Sequence, residues 1–133
     1  MPEPRWIPLA AIHIIHDRQI ARHGGTPGLR DQALLEAGLD RPRNRSAYEP
    51  EADLAALAAA LTFGIAKAHA YVDGNKRTAL VAALTFLRIN GLYMRPDPQE
   101  GFAMMEGIAD SSVSEQQFAD WLRQNQTPYA NRS

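Results

Sequence analysis

The amino-acid sequence predicts an all-α protein, a compact bundle of six helices. Apolar residues recur at three- and four-residue steps in six segments, and glycine, proline or polar clusters separate these segments. Only residues 92–95 have an extended character, so almost no strand is expected. The 133 residues, 45% of them hydrophobic, fit a single domain over residues 1–133. A chain of this length can bury enough apolar surface to fold without a metal or disulfide.

The first two helices are predicted on either side of a glycine-rich turn. The first follows Pro8, which the first turn of a helix tolerates, and ends at Gly24-Gly25. The second is expected from about Leu29 to Leu39, with Asp31 in its first turn, where negative charge is favourable. Pro42 is expected to stop this helix. Its inward face is predicted to contain Leu34, Leu35 and Leu39.

The third and fourth helices form the predicted centre of the bundle. The third opens at about Asp53 and continues to residue 68, and it is apolar on nearly all faces. A helix of that kind is usually buried. The fourth is expected from about Asn75 to Asn90 and ends at Gly91. Only residues 70–74 separate these two helices, so the segment between them should lie at one end of the buried pair.

The last two helices complete the predicted bundle. The fifth covers about Gln99 to Ala109. The sixth begins at Ser114, and Gln117 three residues later completes a capping box. Trp121 and Leu122 should anchor this helix to the core.

Composition and charge exclude several classes of protein. The chain has no cysteine, which excludes disulfides and thiolate chemistry and fits a reducing cytoplasm. The first residues do not resemble a secretory leader, and no apolar run reaches the ~18 residues that span a bilayer. The net charge of −1 lacks the basic excess that direct nucleic-acid binding requires. A cytoplasmic protein without a membrane or nucleic-acid partner is expected.

The segment between the third and fourth helices combines residues suited to a nucleoside triphosphate. A helix N-terminus attracts phosphates, and Gly74 there allows a close backbone approach. The side chains of Asn75, Lys76 and Arg77 add an amide donor and two positive charges. Magnesium prefers hard oxygen ligands such as the Asp73 carboxylate. The pKa of an ordinary histidine lies near neutrality, which makes His69 suitable as a general base.

Purely structural explanations compete with this interpretation. His69 could be a helix-end cation, and Asp73 could cap the following helix. Lys76 and Arg77 are harder to explain, because two cations in a first helical turn oppose the helix dipole by roughly 0.3–1 kcal/mol each. The spacing alone leaves an anion-binding loop and a coincidence about equally plausible.

Three stretches resemble the Fic/Doc family. Residues 69–77, HAYVDGNKR, resemble its signature of His, any residue, Phe, any residue, an acid, Gly or Ala, Asn, Gly or Lys, and Arg. The lysine form is similar to the death-on-curing (Doc) toxins of type II toxin–antitoxin modules. Residues 24–42, which begin GGTPGLRD, and residues 84–91, LTFLRING, agree with the Doc pattern too. The resemblance covers roughly residues 8–124.

The resemblance implies an enzyme that uses ATP and Mg²⁺. Doc-like members phosphorylate a threonine of elongation factor Tu and halt translation, so a protein phosphotransferase is expected here. Carried over to this sequence, His69 is the catalytic base, Asp73 the metal ligand and Arg77 a catalytic residue. The nucleotide's phosphates would be held by Gly74, Asn75, Lys76 and Arg77.

Two departures from the pattern leave the reaction type open. Tyr71 stands where phenylalanine is usual, and its hydroxyl needs a partner if it is buried. Gly74 matches the members that transfer AMP, whereas Doc has alanine there. Lys76 argues the other way, since it could fill the space of the phosphates and force the nucleotide to bind reversed. Protein adenylylation is therefore the alternative, and a non-catalytic nucleotide-binding module is a weaker one.

Regulation is expected to come from a second chain. The Fic inhibitory pattern is Ser or Thr, three residues, Glu, then Gly or Asn. Ser111 and Glu115 have the spacing, but Gln116 follows, and Glu106-Gly107 lacks the preceding hydroxyl. A separate antitoxin, folding a disordered tail near the active site, would supply the inhibition.

Some polar residues outside the motif have two interpretations. His13, His16 and Asp17 could bind a metal, but a surface or helix-end role is preferred because a third strong ligand is missing. His16 belongs to the run before Gly24-Gly25 that resembles the family, so a packing role is expected for it. The arginines of the expected loop 41–48 either belong to a solvated turn or lie over the active site. Arg30 and Asp31 are expected to form a structural ion pair, and a role in the site is the less favoured alternative.

Overall fold

The computed structural model describes residues 3–129, which form six helices and two short strands. Residues 1–2 and 130–133 lie outside the described part. The helices are α1 (Leu9–His23), α2 (Gln32–Tyr48), α3 (Leu54–Ala68), α4 (Asn75–Ile89), α5 (Pro98–Ala109) and α6 (Glu115–Asn125). Strand β1 (Leu92–Tyr93) pairs antiparallel with β2 (Thr127–Pro128). The number and order of helices predicted from the sequence are confirmed.

Helix α3 is the centre of the bundle, as its apolar sequence predicts. Every residue from Ala55 to Thr62 is buried. Helices α2, α4 and α6 pack around it, and α5 contacts it as well. The many alanines explain this arrangement, because short side chains allow neighbouring helices to approach closely from several sides. The two ends of α3 are therefore fixed positions from which loops can be oriented.

Most helices begin with a side-chain cap. The carboxylates of Asp31, Asp53 and Asp97 accept hydrogen bonds from the backbone N–H groups three residues later, at 2.9–3.1 Å. At the start of α6 the predicted capping box between Ser114 and Gln117 is confirmed. Asp31 therefore caps α2, and the ion pair expected between Arg30 and Asp31 does not form in the described structure.

The prediction that Pro42 stops the second helix is wrong. Helix α2 begins at Gln32 and continues through Pro42 to Tyr48, so residues 41–48 form helix instead of a loop. A proline inside a helix loses one hydrogen bond and crowds the carbonyl four residues earlier, which costs ~3 kcal/mol. That carbonyl belongs to Gly38, which packs directly against Gly64 of α3. Pro42 is itself buried, so packing against the core offsets its local cost.

The inward face of α2 differs in part from the prediction. Leu35 is fully buried and Leu39 packs against the core, but Leu34 is 47% exposed. The buried residues of the helix are Leu35, Gly38 and Pro42, which share one face at three- and four-residue spacing. Leu34 lies off the edge of that face, because each residue advances ~100° around the helix.

The segment between α3 and α4 is held by the segment before α2. The N–H of Val72 donates to the Gly28 carbonyl at 3.0 Å. The N–H groups of Arg30 and Asp31 donate to the Ala70 carbonyl at 2.7 and 3.0 Å. The loop of residues 69–74 is thus fixed by backbone hydrogen bonds to a distant part of the chain. In residues 3–129 no helix has the length and apolar character needed to cross a lipid bilayer.

Candidate active site

His69 ends α3 with its imidazole in solvent. Its backbone has φ 50°, in the left-handed region that residues other than glycine rarely adopt. Its carbonyl accepts a hydrogen bond from Arg30 Nη2 at 3.2 Å. The side chain is exposed and makes no hydrogen bond or ring contact with the described residues. The imidazole is therefore available to accept a proton from a bound molecule.

Asp73 presents an ionised carboxylate beside the start of α4. Its Oδ1 accepts from the N–H of Gly74 at 2.8 Å, and its Oδ2 accepts from the N–H of Thr26 at 3.2 Å. The hydrogen bonds from Thr26 and Gly74 hold the pKa of Asp73 below its ordinary 3.8, and the charges of Arg77 and His16 act in the same direction. The exposed carboxylate is a suitable ligand for a hard cation.

The N-terminus of α4 lacks a side-chain cap, unlike those of α2, α3, α5 and α6. Gly74 is the N-cap residue, and its φ of 78° lies in the left-handed region that favours glycine. A Cβ there would lie 3.1 Å from Ile20 Cδ1 and 3.5 Å from His16 Nε2. Asp73 bonds to the N–H of Gly74 and does not cap the helix. Within residues 3–129 no side chain accepts from the first-turn N–H groups of α4, as an anion site requires.

The three polar residues that open α4 have different partners. The side-chain amide of Asn75 accepts from the Tyr71 N–H at 3.1 Å and donates to the Tyr71 carbonyl at 2.9 Å, which closes the loop. Arg77 Nη2 donates to the Gly24 carbonyl at 3.0 Å. Lys76 forms an ion pair with Glu106 of α5. Phosphate binding by all three side chains remains a prediction. Asn75 would have to bind a phosphate while its amide also bonds to the backbone of Tyr71.

Tyr71 is held under the loop by two histidines of α1. Its side chain is 2% exposed, and its hydroxyl lies 2.7 Å from His13 Nδ1. The Tyr71 ring stacks on His16 with ring centroids 3.7 Å apart. Burial, assisted by the charge of Asp17, raises the pKa of Tyr71 to about 12. The partner that a buried Tyr71 hydroxyl requires is therefore His13.

His16 supports the site and is not part of a metal cluster. It is 2% exposed, and its Nε2 lies 2.8 Å from the Asp73 carbonyl oxygen. A carbonyl can only accept, so Nε2 must carry the proton. No group of three potential metal ligands occurs within residues 3–129. The packing role predicted for His16 is confirmed.

Gly25 is a site residue that the sequence analysis missed. A Cβ on Gly25, whose φ is 118°, would lie 2.8 Å from Asp73 Oδ2 and 3.3 Å from Arg77 Nη2. The backbone of this turn therefore lies in close contact with the side chains of Asp73 and Arg77. The sequence places Gly24-Gly25 at the end of the first helix and in a stretch that resembles the Doc pattern, but it gives Gly25 no role in the site. A glycine pair after a helix carries no signal for a contact with residues about 50 positions later.

The arginines of α2 are not part of the site. Arg41 and Arg45 both bind the Glu115 carboxylate of α6, at 2.6 and 2.9 Å. Arg45 also donates to the carbonyl of Ala56, near the start of α3. His69 is at the other end of α3, ~20 Å away at 1.5 Å per residue. The predictions of a solvated turn and of a loop over the active site are both wrong, because these residues are helical. Arg41 and Arg45 line a cleft of about 470 Å³ between α2 and α6.

Comparison with known proteins identifies the family. The model of the Fic/DOC family matches residues 6–87, which include the whole loop and both histidines beneath it. The chain belongs to the Fic/DOC family. It is 39% identical over 109 residues to "Protein kinase doc" of Escherichia phage P1, which covers 82% of this chain and 86% of that protein. It is 47% identical over 76 residues to "Toxin Doc" of Mycolicibacterium smegmatis, which covers 56% and 58% of the two chains.

The Fic/Doc match confirms the family resemblance and separates two parts of the chain. The motif of residues 69–77 and the glycine turn that contacts it both lie inside the matched region. Helices α5 and α6 lie beyond it, and so does Glu106, the partner of Lys76. The surroundings of Lys76 are therefore partly outside the region that the family model describes.

Proposed function

We propose that this Fic/Doc protein is a toxin with phosphotransferase activity, which uses ATP and Mg²⁺ to phosphorylate a hydroxyl group of another protein. The acceptor would be a threonine of a translation factor such as elongation factor Tu, and its modification would inhibit translation. The observation that carries the proposal is the loop of residues 69–74. It brings an unpartnered imidazole, an ionised carboxylate and an uncapped helix N-terminus together. The phage P1 relative is named a protein kinase, which supports the same reaction.

The proposed chemistry assigns one task to each group. The acceptor hydroxyl gives its proton to His69 while its oxygen forms a bond to the γ-phosphorus. The bond from that phosphorus to the β–γ bridging oxygen breaks, and ADP leaves. Lys76, Arg77 and the first N–H groups of α4 offset the negative charge of the phosphates. The protein contributes mainly positioning and charge, which is what phosphoryl transfer requires.

The residues present fit a magnesium ion. Each Asp73 oxygen accepts only one backbone hydrogen bond, so both oxygens retain a lone pair for a metal. Because residues 3–129 contain no cluster of three ligands, a bound ion would take its other ligands from phosphate and water. Magnesium commonly binds in that way. When bound, it would neutralise part of the charge on the phosphates.

Transfer of AMP is the second candidate, and Gly74 favours it. This residue matches the AMP-transferring members of the family, and a side chain is disfavoured there by the φ of 78°. Lys76 is the second residue of α4, where its side chain would take up space that phosphates need. We therefore expect Lys76→Gly to shift the product from phosphate toward AMP.

A separate antitoxin is the proposed regulator, bound near the active site. The relative from M. smegmatis is named a toxin, which supports a toxin–antitoxin pair. Glu115, the nearest match to the inhibitory pattern, is held by Arg41 and Arg45 at the far end of α3. It cannot reach the motif from there, so Glu115 does not supply the inhibition, and a second chain is proposed to do so.

Labelled ATP tests the proposed function and separates the two reactions. The purified protein, Mg²⁺ and elongation factor Tu are incubated with ATP labelled at the γ- or the α-phosphate. We expect γ-label on the acceptor, and a loss of ~100-fold or more in the His69→Ala variant, since general bases contribute that much. His23→Ala is the matched control, because that histidine is also exposed at a helix end. Transfer of α-label alone would establish adenylylation, and no transfer of either label would contradict both reactions.

A further inference from the structure

The ion pair between Lys76 and Glu106 joins two charges that their own helices disfavour. Lys76 lies in the first turn of α4, where the helix dipole is positive. Glu106 lies near the end of α5, where the dipole is negative, and no basic residue occupies that last turn. Each charge is therefore poorly placed on its own helix. Their contact across the helices compensates both.

The pair turns the ammonium group of Lys76 toward α5. The side chains of Lys76 and Glu106 are 46% and 44% exposed, so the contact is accessible to solutes and easily exchanged. Arg77, the next cation, is directed instead to the Gly24 carbonyl. Within residues 3–129 Glu106 has no other ion-pair partner. Within residues 3–129, Lys76 is thus held by the Glu106 carboxylate and by no backbone group, whereas Arg77 is bound to a backbone carbonyl.

We propose that Glu106 is a positioning residue that competes with the phosphates of the nucleotide for Lys76. The inference rests on the proposed function, because it takes ATP as the ligand. Without nucleotide, the carboxylate holds the ammonium beside α5. A nucleotide must displace this carboxylate before Lys76 can bind a phosphate. Glu106 therefore weakens nucleotide binding and fixes the starting position of the lysine.

The test is the affinity for Mg²⁺-ATP, measured by isothermal titration calorimetry. The proteins are the wild type, Glu106→Gln, Lys76→Gln and the double variant. Exposed ion pairs are weak, so we expect Glu106→Gln to bind ATP about two- to fivefold more tightly than the wild type. In the Lys76→Gln background the same substitution should change the affinity by much less. In the transfer assay the KM for ATP should fall with little change in kcat.

A matched control separates competition from a general loss of negative charge. Glu49→Gln also removes one exposed acidic partner of a cation, Arg45, but on α2 and away from the loop. We expect it to leave ATP affinity unchanged. An unchanged affinity of Glu106→Gln, or an equal gain with and without Lys76, would overturn the inference while ATP binding itself supports the proposed function. If no variant binds ATP, both proposals fail together.

Discussion

At the scale of single residues, backbone groups fix most of the motif. The Asp73 carboxylate accepts from two N–H groups, and the Asn75 amide bonds to both backbone groups of Tyr71. Backbone donors orient a carboxylate without neutralising its charge. Asp73 is therefore held in place and still able to bind a cation. His69 differs, because only its backbone carbonyl is held and its imidazole remains in solvent.

The glycine turn should be essential to the site at one of its two positions. Gly24 and Gly25 both have positive φ, so alanine at either should cost roughly 1–2 kcal/mol of unfolding free energy. Only the Cβ of Gly25→Ala would meet the Asp73 carboxylate and Arg77, whereas Gly24 has nothing within 4 Å of an added Cβ. We expect both variants to be destabilised in urea, but only Gly25→Ala to lose binding of Mg²⁺-ATP. Equal binding by both would contradict this account of the turn.

Tyr71 should titrate later than an ordinary tyrosine. Its pKa rises from 10.0 to about 12 because the buried site disfavours a phenolate. A raised pKa stabilises the fold fully below pH ~10, and this contribution is lost as the pH rises from 10 to 12. The measurement is absorbance at ~295 nm, with the Tyr71→Phe titration subtracted from that of the wild type. A difference transition near pH 10 would show that the phenol is not buried in solution.

At the scale of helices, the crossing of α2 and α3 determines the position of α2. An added Cβ on Gly64 would lie 2.2 Å from the Gly38 carbonyl oxygen, and one on Gly38 would lie 2.4 Å from the Gly64 carbonyl oxygen. The two backbones are therefore in direct contact. This contact falls at the carbonyl that Pro42 leaves without its usual helical hydrogen bond. The close crossing and the internal proline therefore involve the same backbone group, the carbonyl of Gly38.

Alanine at the crossing should be strongly destabilising. In Gly64→Ala the new methyl group meets backbone, which cannot rotate away, so α2 and α3 must separate. We expect a loss of about 3 kcal/mol or more of unfolding free energy, despite the better helix propensity of alanine. Gly101→Ala in α5 is the control, because its Cβ would meet only the end of the Leu80 side chain at 3.2 Å. That variant should be neutral or more stable, and similar urea midpoints for both would disprove the close crossing.

The same crossing shows where prediction from the sequence failed. The limits of α1, α3, α4 and α6 follow from local signals such as the Asp53 cap and the capping box at Ser114. For α2 the local signals of Pro42 and three nearby arginines indicate a stop and a loop, yet the helix continues. Contacts with α3 and α6 override those signals, and they come from residues far along the chain. Local patterns contain no information on such contacts.

The candidate site was predictable to the extent that it is contiguous in sequence. His69, Asp73 and the residues that open α4 lie within nine positions, so one pattern contains all of them. Gly25 and Glu106 reach the site from two other segments: Gly25 lies next to Asp73, and Glu106 pairs with Lys76. Glu106 was considered only as a possible inhibitory residue and was set aside because the preceding hydroxyl is missing. Its pairing with Lys76 depends on how α5 packs on α4, which the sequence does not show.

At the scale of the whole molecule, charged side chains attach α6 to the centre of the bundle. The guanidinium of Arg123 binds both oxygens of Asp53 at 2.7 and 2.9 Å, and the same carboxylate caps α3. Glu115, at the other end of α6, is held by two arginines of α2. Ion pairs thus attach the end of α6 to the start of α3 and the start of α6 to α2. The start of α3 lies at the opposite end of that helix from the active-site loop. Stability and the proposed chemistry depend on different ends of α3.

Acid should weaken this attachment of α6. The hydrogen bond from Arg123 is the largest cause that holds the pKa of Asp53 below 3.8, opposed by partial burial. A lowered pKa contributes stability above pH ~4, and this contribution is lost as the pH falls through the value in the folded state. Asp73 and Asp110 have lowered pKa values as well and act in the same direction. The unfolding free energy should therefore decrease steadily below pH ~4.

Two variants separate the ion pair from the cap at Asp53. Asp53→Asn retains an oxygen that can cap α3 but loses the charge, so we expect a loss of up to about 1 kcal/mol at pH 7. Asp53→Ala loses the cap too, which should cost about 1 kcal/mol more. Urea unfolding at pH 7 and at pH 3 measures both. The difference between wild type and Asp53→Asn should shrink at pH 3, because the carboxylate binds a proton more readily in the unfolded chain than in the folded protein, where its pKa is lowered. If the difference in unfolding free energy between the two proteins were the same at pH 7 and pH 3, the charge of Asp53 would not stabilise the fold.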